Sequence, residues 1–275
     1  MLIHSDNAFN ISPPHILLNE YVFFYNVVFP TPGMFVANYT LMPDACGTLS
    51  LTFNGRNIQA ELWGASVTPT LLGTEPNKYH VMLLIQLSPY GLYQITHCHQ
   101  GELADKRLLL ENVDKRLFTS LCQAFETADN ISGLFSMCDK ILYSRMEHCI
   151  VSEALLSATR KISDNQGQIL VSELAKKVGY SERQLNRLFL MQIGMNVKSY
   201  TRLVRFNYVL SNIQKSPYFF SELSQQAGYF DQPHFDKDFK AISGVTPQNY
   251  LKTMSDFYYD ASEVSPMLSL RRDSI

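Results

Sequence analysis

Up to about Val113 the apolar residues fall in short runs broken by turn signals: YVFFYNVVF, MFVANYTLM, LSLTF, AELWGASV, YHVMLLIQL and YGLYQITHC. Runs of this length, rich in Val, Tyr, Phe and Thr, predict strands. LSLTF is closed by Asn54-Gly55, whose residues accept the left-handed backbone of a tight hairpin. From Arg116 to His148 the period lengthens. Leu117, Leu121 and Phe125, then Leu134, Cys138 and Leu142, recur about once per turn and predict helices. Those stripes fit either a layer folded onto the strands or a surface for self-association as a homodimer. The remainder to Met254 reads as helices separated by glycine-containing turns. Residues 255–275 keep no sustained period and read as a tail. The fold class expected is α+β: a β-rich domain ending in helices over 1–146, an all-α domain over 147–254, then the tail.

The helical half contains a duplication. SELAKKVGY starts at Ser172 and SELSQQAGY at Ser221, 49 positions on. Beyond them Leu185, Phe189, Gly194 and Tyr200 recur as Phe235, Phe239, Gly244 and Tyr250, now 50 apart, so the second copy carries one extra residue. Recurrence of this kind marks a repeated structural unit. In the first copy Ser172 is expected to cap a two-turn helix that buries Leu174, Ala175 and Val178 and stops at Gly179. Ser181 and Gln184 have the spacing of a capping box for a second helix. With Leu185, Leu188 and Phe189 turned inward, that helix presents Glu182, Arg183, Asn186 and Arg187 outward. The second copy repeats the plan, with Leu223 and Ala227 ahead of Gly228, Asp231 as cap and Pro233 in the first turn. Phe235 and Phe239 turn inward, and Gln232, Pro233, Asp236 and Lys237 outward. A short helix, a glycine turn and a second helix with a polar face are helix-turn-helix geometry. The amphipathic stretch VKSYTRLVRFNYVLSNI joins the two units.

LAKKVGYSERQLNRLFLMQIGMNVKSYTRLVRF followed by LSQQAGYFDQPHFDKDFKAISGVTPQNY resembles the AraC/XylS family of bacterial transcriptional regulators. The resemblance covers roughly residues 150–253 and includes both units and the closing SGVTPQNY. It implies double-stranded DNA as partner, with the second helix of each unit in successive major-groove segments and the linking helix between them. It assigns Arg183, Asn186 and Arg187 to the groove in the first unit, beside Glu182, and Gln232, Pro233, Asp236 and Lys237 in the second, with Lys240 a turn further on. Arginine can pair bidentately with guanine, and asparagine with adenine. The first helix is therefore expected to read bases and the second, where Asp236 and Asp238 offset Lys237 and Lys240, to grip the backbone. Val209, Ser224 and Pro233 depart from the family's usual residues; Pro233 removes one base-reading side chain. The β-rich half is similar to that of an uncharacterised branch of these regulators. There the implied role is effector sensing or oligomerisation. The resemblance admits RNA polymerase and a small-molecule effector as further partners; the cysteine usage described below makes the cytoplasm the expected compartment.

Charge changes the picture more than bulk composition does. The 275 residues are 46% hydrophobic and 17% charged with a net charge of −2, as in a globular protein. That total hides a division: residues 1–150 hold 8 Lys and Arg against 13 Asp and Glu, whereas residues 151–254 hold 13 against 8. A basic helical half behind an acidic one fits a polyanion partner for one domain alone. The start, MLIHSDNAFN, lacks the basic-then-apolar pattern of a signal peptide, and neither ILLNEYVFFYNVVF nor VMLLIQL is long enough to span a bilayer.

Candidate chemistry adds little. Five cysteines without a CxxC pair suggest neither zinc nor a disulfide framework and fit a reducing compartment. Cys46, Cys122, Cys138 and Cys149 read as small core hydrophobes. His97, Cys98 and His99, with His80, invite a metal reading, but on a strand Cys98 points away from the two histidines. Trp63 and the aromatic strands fit a core better than a pocket. No phosphate loop, GxSxG elbow or HExxH occurs, so no enzyme, cofactor or metal is expected. The alternative is a DNA-repair alkyl-transfer protein using the same DNA-binding unit, which needs an activated or zinc-held cysteine.

Overall fold

The computed structural model describes residues 3–146, 151–213 and 220–253, so the expectations for Cys149 and for the tail fall outside the described residues. The chain divides into two compact units, the first made mostly of residues up to Val151 and the second mostly of residues from Ser152 on.

The first unit is built on β1 (Phe9–Ser12), β2 (Val22–Val28), β3 (Thr40–Leu41), β4 (Thr48–Phe53), β5 (Ile58–Trp63), β6 (Thr70–Leu71), β7 (Val81–Leu87) and β8 (Arg107–Leu109). Six of these form one antiparallel sheet in the order β1-β2-β7-β4-β5-β8, and β3 pairs with β6 alone. The Asn54-Gly55 hairpin joins β4 to β5. Asn54 Oδ1 accepts from the N–H groups of Arg56 and Asn57 at 3.0 and 2.9 Å, and Gly55 takes φ +90°.

Four helices accompany the sheet: α1 (Gly91–Thr96), α2 (Leu110–Val113), α3 (Lys115–Thr127) and α4 (Ile131–Tyr143). Leu117, Leu121 and Phe125 of α3 and Leu134, Cys138 and Leu142 of α4 are buried in one core with Tyr25, Val27, Leu49, Leu51, Leu62, Leu83 and Ile85 of the sheet. The stripes that suggested self-association are thus covered within the unit itself. Tyr25 stacks on Phe135 at 5.4 Å, and its hydroxyl donates to Asp139 Oδ1 at 2.8 Å, which fixes α4 against β2.

Two strand expectations are corrected. MFVANYTLM yields only the two-residue β3. YGLYQITHC is not a strand: it forms α1, with Leu92 and Ile95 buried one turn apart. Gly91 permits this start, because a Cβ there would lie 2.1 Å from the Tyr21 carbonyl oxygen. Thr96 Oγ1 donates back to the Leu92 carbonyl at 2.7 Å, and His97 ends the helix at φ 59°. The β-favouring Tyr, Ile and Thr in that run had masked its three-residue spacing.

Asp44 lies between β3 and β4. Its Oδ1 accepts from the Cys46 N–H and its Oδ2 from Gln86 Nε2, both at 3.1 Å, while Gln86 Oε1 accepts from Thr48 at 2.9 Å. Burial outweighs the bonds from Cys46 and raises the carboxyl to about 6. An unfolded aspartate titrates near 4. The native state therefore holds this proton where the unfolded chain has released it, so Asp44 costs stability as pH rises from about 4 through about 6. Thermal melts across that window are expected to fall more steeply with pH for the wild type than for Asp44→Asn. Parallel slopes would contradict the assignment.

The second unit is all helix: α5 (Glu153–Asp164), α6 (Val171–Lys177), α7 (Glu182–Gln192), α8 (Val197–Ile213), α9 (Phe220–Gln226), α10 (Gln232–Ser243) and α11 (Pro247–Thr253). The 17 residues of α8 extend about 25 Å at 1.5 Å per residue. It packs against α5, α9 and α10.

Candidate nucleic-acid interface

The first helix pair starts slightly earlier than the sequence suggests. Val171 opens α6 and Leu170 occupies the cap position, so Ser172 lies inside the helix instead of capping it. Leu174 and Ala175 are buried. Gly179 turns the chain at φ +73°, as Gly228 does at φ +73° in the second pair, a conformation that costs side-chain-bearing residues more than glycine. The expected capping box is formed. Ser181 N–H donates to Gln184 Oε1 at 3.0 Å, and Gln184 N–H donates to Ser181 Oγ at 3.3 Å. In the second pair Asp231 caps α10 by accepting from the His234 N–H at 2.8 Å, with Pro233 in the first turn.

The duplication extends to side chains. Residues 181–190 and 231–240 share one burial sequence, position by position, with Leu185 and Phe189 matching Phe235 and Phe239 as the buried pairs. Phe189 meets Tyr200 edge-on at 5.4 Å, and Phe239 meets Tyr250 edge-on at 5.4 Å. Asn196 Oδ1 caps α8 by accepting from Ser199 N–H, and Thr246 Oγ1 caps α11 by accepting from Asn249 N–H. The extra residue of the second copy falls at the turn beside Phe230, which is 92% exposed.

The candidate groove residues divide into exposed and committed groups. Glu182, Arg183 and Arg187 on α7, and Gln232, Pro233, Lys237 and Lys240 on α10, are exposed. Among the described residues, Arg183, Arg187, Lys237 and Lys240 form no ion pair, so their charge is open to a polyanion. Asn186 is different. It is half-buried, its Nδ2 donates to the Glu182 carbonyl at 3.0 Å, and its Oδ1 accepts from the Val197 N–H at 3.1 Å. Both ends of the amide that would read adenine are held within the protein. Asp236, the same position of the second copy, is half-buried; burial raises its carboxyl, and a bond from Gln232 opposes this.

Asp238 does not offset the exterior lysines as expected. Its Oδ1 accepts from Arg202 Nε of α8 at 2.6 Å and its Oδ2 from the Tyr229 hydroxyl at 2.9 Å. Burial first, then the Asp238 charge, raises the Tyr229 phenol. Arg205 lies over the Tyr229 ring at 5.3 Å and donates to the Gly167 carbonyl at 2.9 Å. These two arginines and the Tyr229 ring brace the second pair against the linking helix, a role that the sequence pattern had not marked.

In the first unit His97 is a helix cap and His99 precedes the next short turn, so neither lies on a strand. Among the described residues no cluster of three or more His, Cys, Asp or Glu could hold a metal ion. Cys46 and Cys138 are buried and Cys122 is half-buried. Burial, reinforced by Glu126, pushes the Cys122 thiol up to about 11, and burial pushes Cys138 to about 12. Both are held as thiols, the opposite of an activated nucleophile. Trp63 packs under the Arg107 guanidinium at 4.3 Å, and Arg107 pairs with Glu61 at 2.8 Å. No described helix is long and apolar enough to cross a membrane.

Two capped helix pairs with matched interiors and cationic exteriors define a double helix-turn-helix domain. Residues 174–253 match the family described as "Helix-turn-helix domain", and the second unit is a domain of the AraC type. Relatives include the Msm operon regulatory protein of Streptococcus mutans serotype c, 24% identical over 179 residues, 62% of this chain and 63% of that protein. The HTH-type transcriptional activator RhaR of Salmonella arizonae is 37% identical over 78 residues, 28% of each chain. The chain thus spans less than two thirds of the length of either relative. Among solved structures, ToxT from Vibrio cholerae aligns over 90% of this chain and 100% of its own with 13% identity and a TM-score of 0.42.

Proposed function

We propose that the protein is a sequence-specific double-stranded DNA-binding transcription regulator whose activity is controlled through its β-rich unit. One observation carries this reading: two recognition helices repeat the same inside and outside, and the cations on their outer faces have no acidic partner among the described residues. The excess of 13 Lys and Arg over 8 Asp and Glu across residues 151–254 supports it. Relatives bearing this domain are named as an operon regulator and a transcriptional activator, which supports regulation over catalysis. The alkyl-transfer alternative needs a lowered thiol pKa, and both resolved shifts run upward. Arg183 and Arg187 lie one turn apart on α7 and serve as base-reading residues, with Glu182 at the helix start. On α10, Lys237 and Lys240 grip phosphates while Gln232, Pro233 and Asp236 set register. An effector, a second copy of the chain and RNA polymerase are further partners of this reading, in the cytoplasm.

Titration of the full chain against duplex DNA over a range of salt tests it. Each phosphate neutralised adds about 0.9 to the negative log–log slope. A slope of about −2 or steeper is expected, since Lys237 and Lys240 are the phosphate contacts named. Binding that is absent, or insensitive to salt, would refute the reading.

A further inference from the structure

Asn186 sits where an adenine-reading side chain is expected, yet its amide bonds the Val197 N–H and the Glu182 carbonyl. Val197 is the first residue of α8, it is fully buried, and its N–H is one of the four that a helix start leaves without an internal partner. The second copy makes the reason visible. The residue 50 positions after Val197 is Pro247, the first residue of α11, also buried and without an N–H. The residue 50 positions after Asn186 is Asp236, whose partner is Gln232 on its own helix. One copy has a donor at the helix start and an acceptor on the recognition helix that meets it. The other copy has neither the donor nor that bond. Flanking geometry is otherwise shared, since Asn196 and Thr246 cap the two helices alike.

We infer that Asn186 is a positioning residue, tying the first recognition helix to the start of the linking helix, and that it does not read bases. This rests on the DNA-binding reading for its consequence but not for the tie itself. With the amide held, base discrimination by α7 falls to Arg183 and Arg187, and the bond to Val197 sets the tilt at which they enter a groove. Asp236, at the same level in the copy without the tie, bonds Gln232 of its own helix instead.

The experiment pairs melting with DNA binding, using the full chain and four proteins: wild type, Asn186→Ala, Val197→Pro and the double variant. Asn186→Ala strands a buried N–H, so its Tm falls by several degrees. Its affinity falls about 2-fold to 10-fold, evenly across a randomised duplex set. Proline is tolerated at the first helical position, so Val197→Pro in the Asn186→Ala background removes the stranded donor and restores most of the Tm. Asn186→Asp, which keeps the acceptor, likewise retains Tm better than Asn186→Ala. Additive Tm losses in the double variant would overturn the tie. Asn186→Ala that melts like the wild type while losing preference at one base pair would overturn it too, and make Asn186 a reader. Should the wild type bind no DNA, the functional reading fails while the melting cycle still decides the tie.

Discussion

Phe239→Ala is expected to lower unfolding free energy by about 3–5 kcal/mol, the range for deleting a fully buried aromatic side chain. Phe239 is 1% exposed and sits where three elements converge. Its ring lies 5.1 Å from Phe206 of the linking helix, 5.8 Å from Phe235 of its own helix and 5.4 Å from Tyr250 of α11. No neighbour can fill the vacated volume without leaving its own contacts, because interiors are close-packed. Phe230 supplies the comparison. At 92% exposed, its change to alanine is expected to fall within about 0.5 kcal/mol. Denaturant unfolding of the two variants measures both, and comparable losses would contradict the assigned core.

The second large effect concerns base reading. Arg187→Ala is expected to cost roughly 1–3 kcal/mol of binding and to relax preference at one base pair, since arginine can pair bidentately with guanine. Lys237→Ala is expected to weaken all sequences more evenly and to reduce the salt slope by about 1. The pairing of Asp238 with Arg202 sharpens the contrast. Paired to Arg202 inside the fold, that carboxylate offsets Lys237 and Lys240 less, so α10 grips phosphates more strongly than its sequence suggests. Pro233 offers no donor there, and Asp236 only accepts. Titrations of both variants against a randomised site check this; loss of specificity in Lys237→Ala with none in Arg187→Ala would reverse the roles of the helices.

Much of this architecture was legible because repetition and period are properties of the chain. The spacing of Leu117, Leu121 and Phe125 foretold a helix, and Asn54-Gly55 a hairpin. The offset of 50 foretold the matching ring pairs at Phe189 and Phe239. Failures had local causes. YGLYQITHC carries β-favouring side chains, but Leu92 and Ile95 needed burial together and Gly91 allowed the chain close to Tyr21. Ser172 looked like a cap because serine so often is one, yet α6 begins a residue earlier at Val171. The commitments of Asn186 and Asp238 depend on what lies opposite in space. Asn186 meets an N–H 11 residues away and Asp238 a guanidinium 36 residues away, and no helical period encodes either partner. Pro247 opposite Val197 was the available clue, since a proline in one copy and a donor in the other means their neighbours cannot share a role.

The most direct measurement is selection of bound fragments from a randomised duplex pool by the full chain. With α7 carrying the base-reading arginines and α10 the phosphate grip, one sharply defined block is expected, with a weakly preferred partner block about one helical turn, roughly 10 base pairs, away. The more sharply defined block should blur in a repeat with Arg187→Ala while its partner block persists. Two equally sharp blocks, or none above the starting pool, would contradict this division between the two helices.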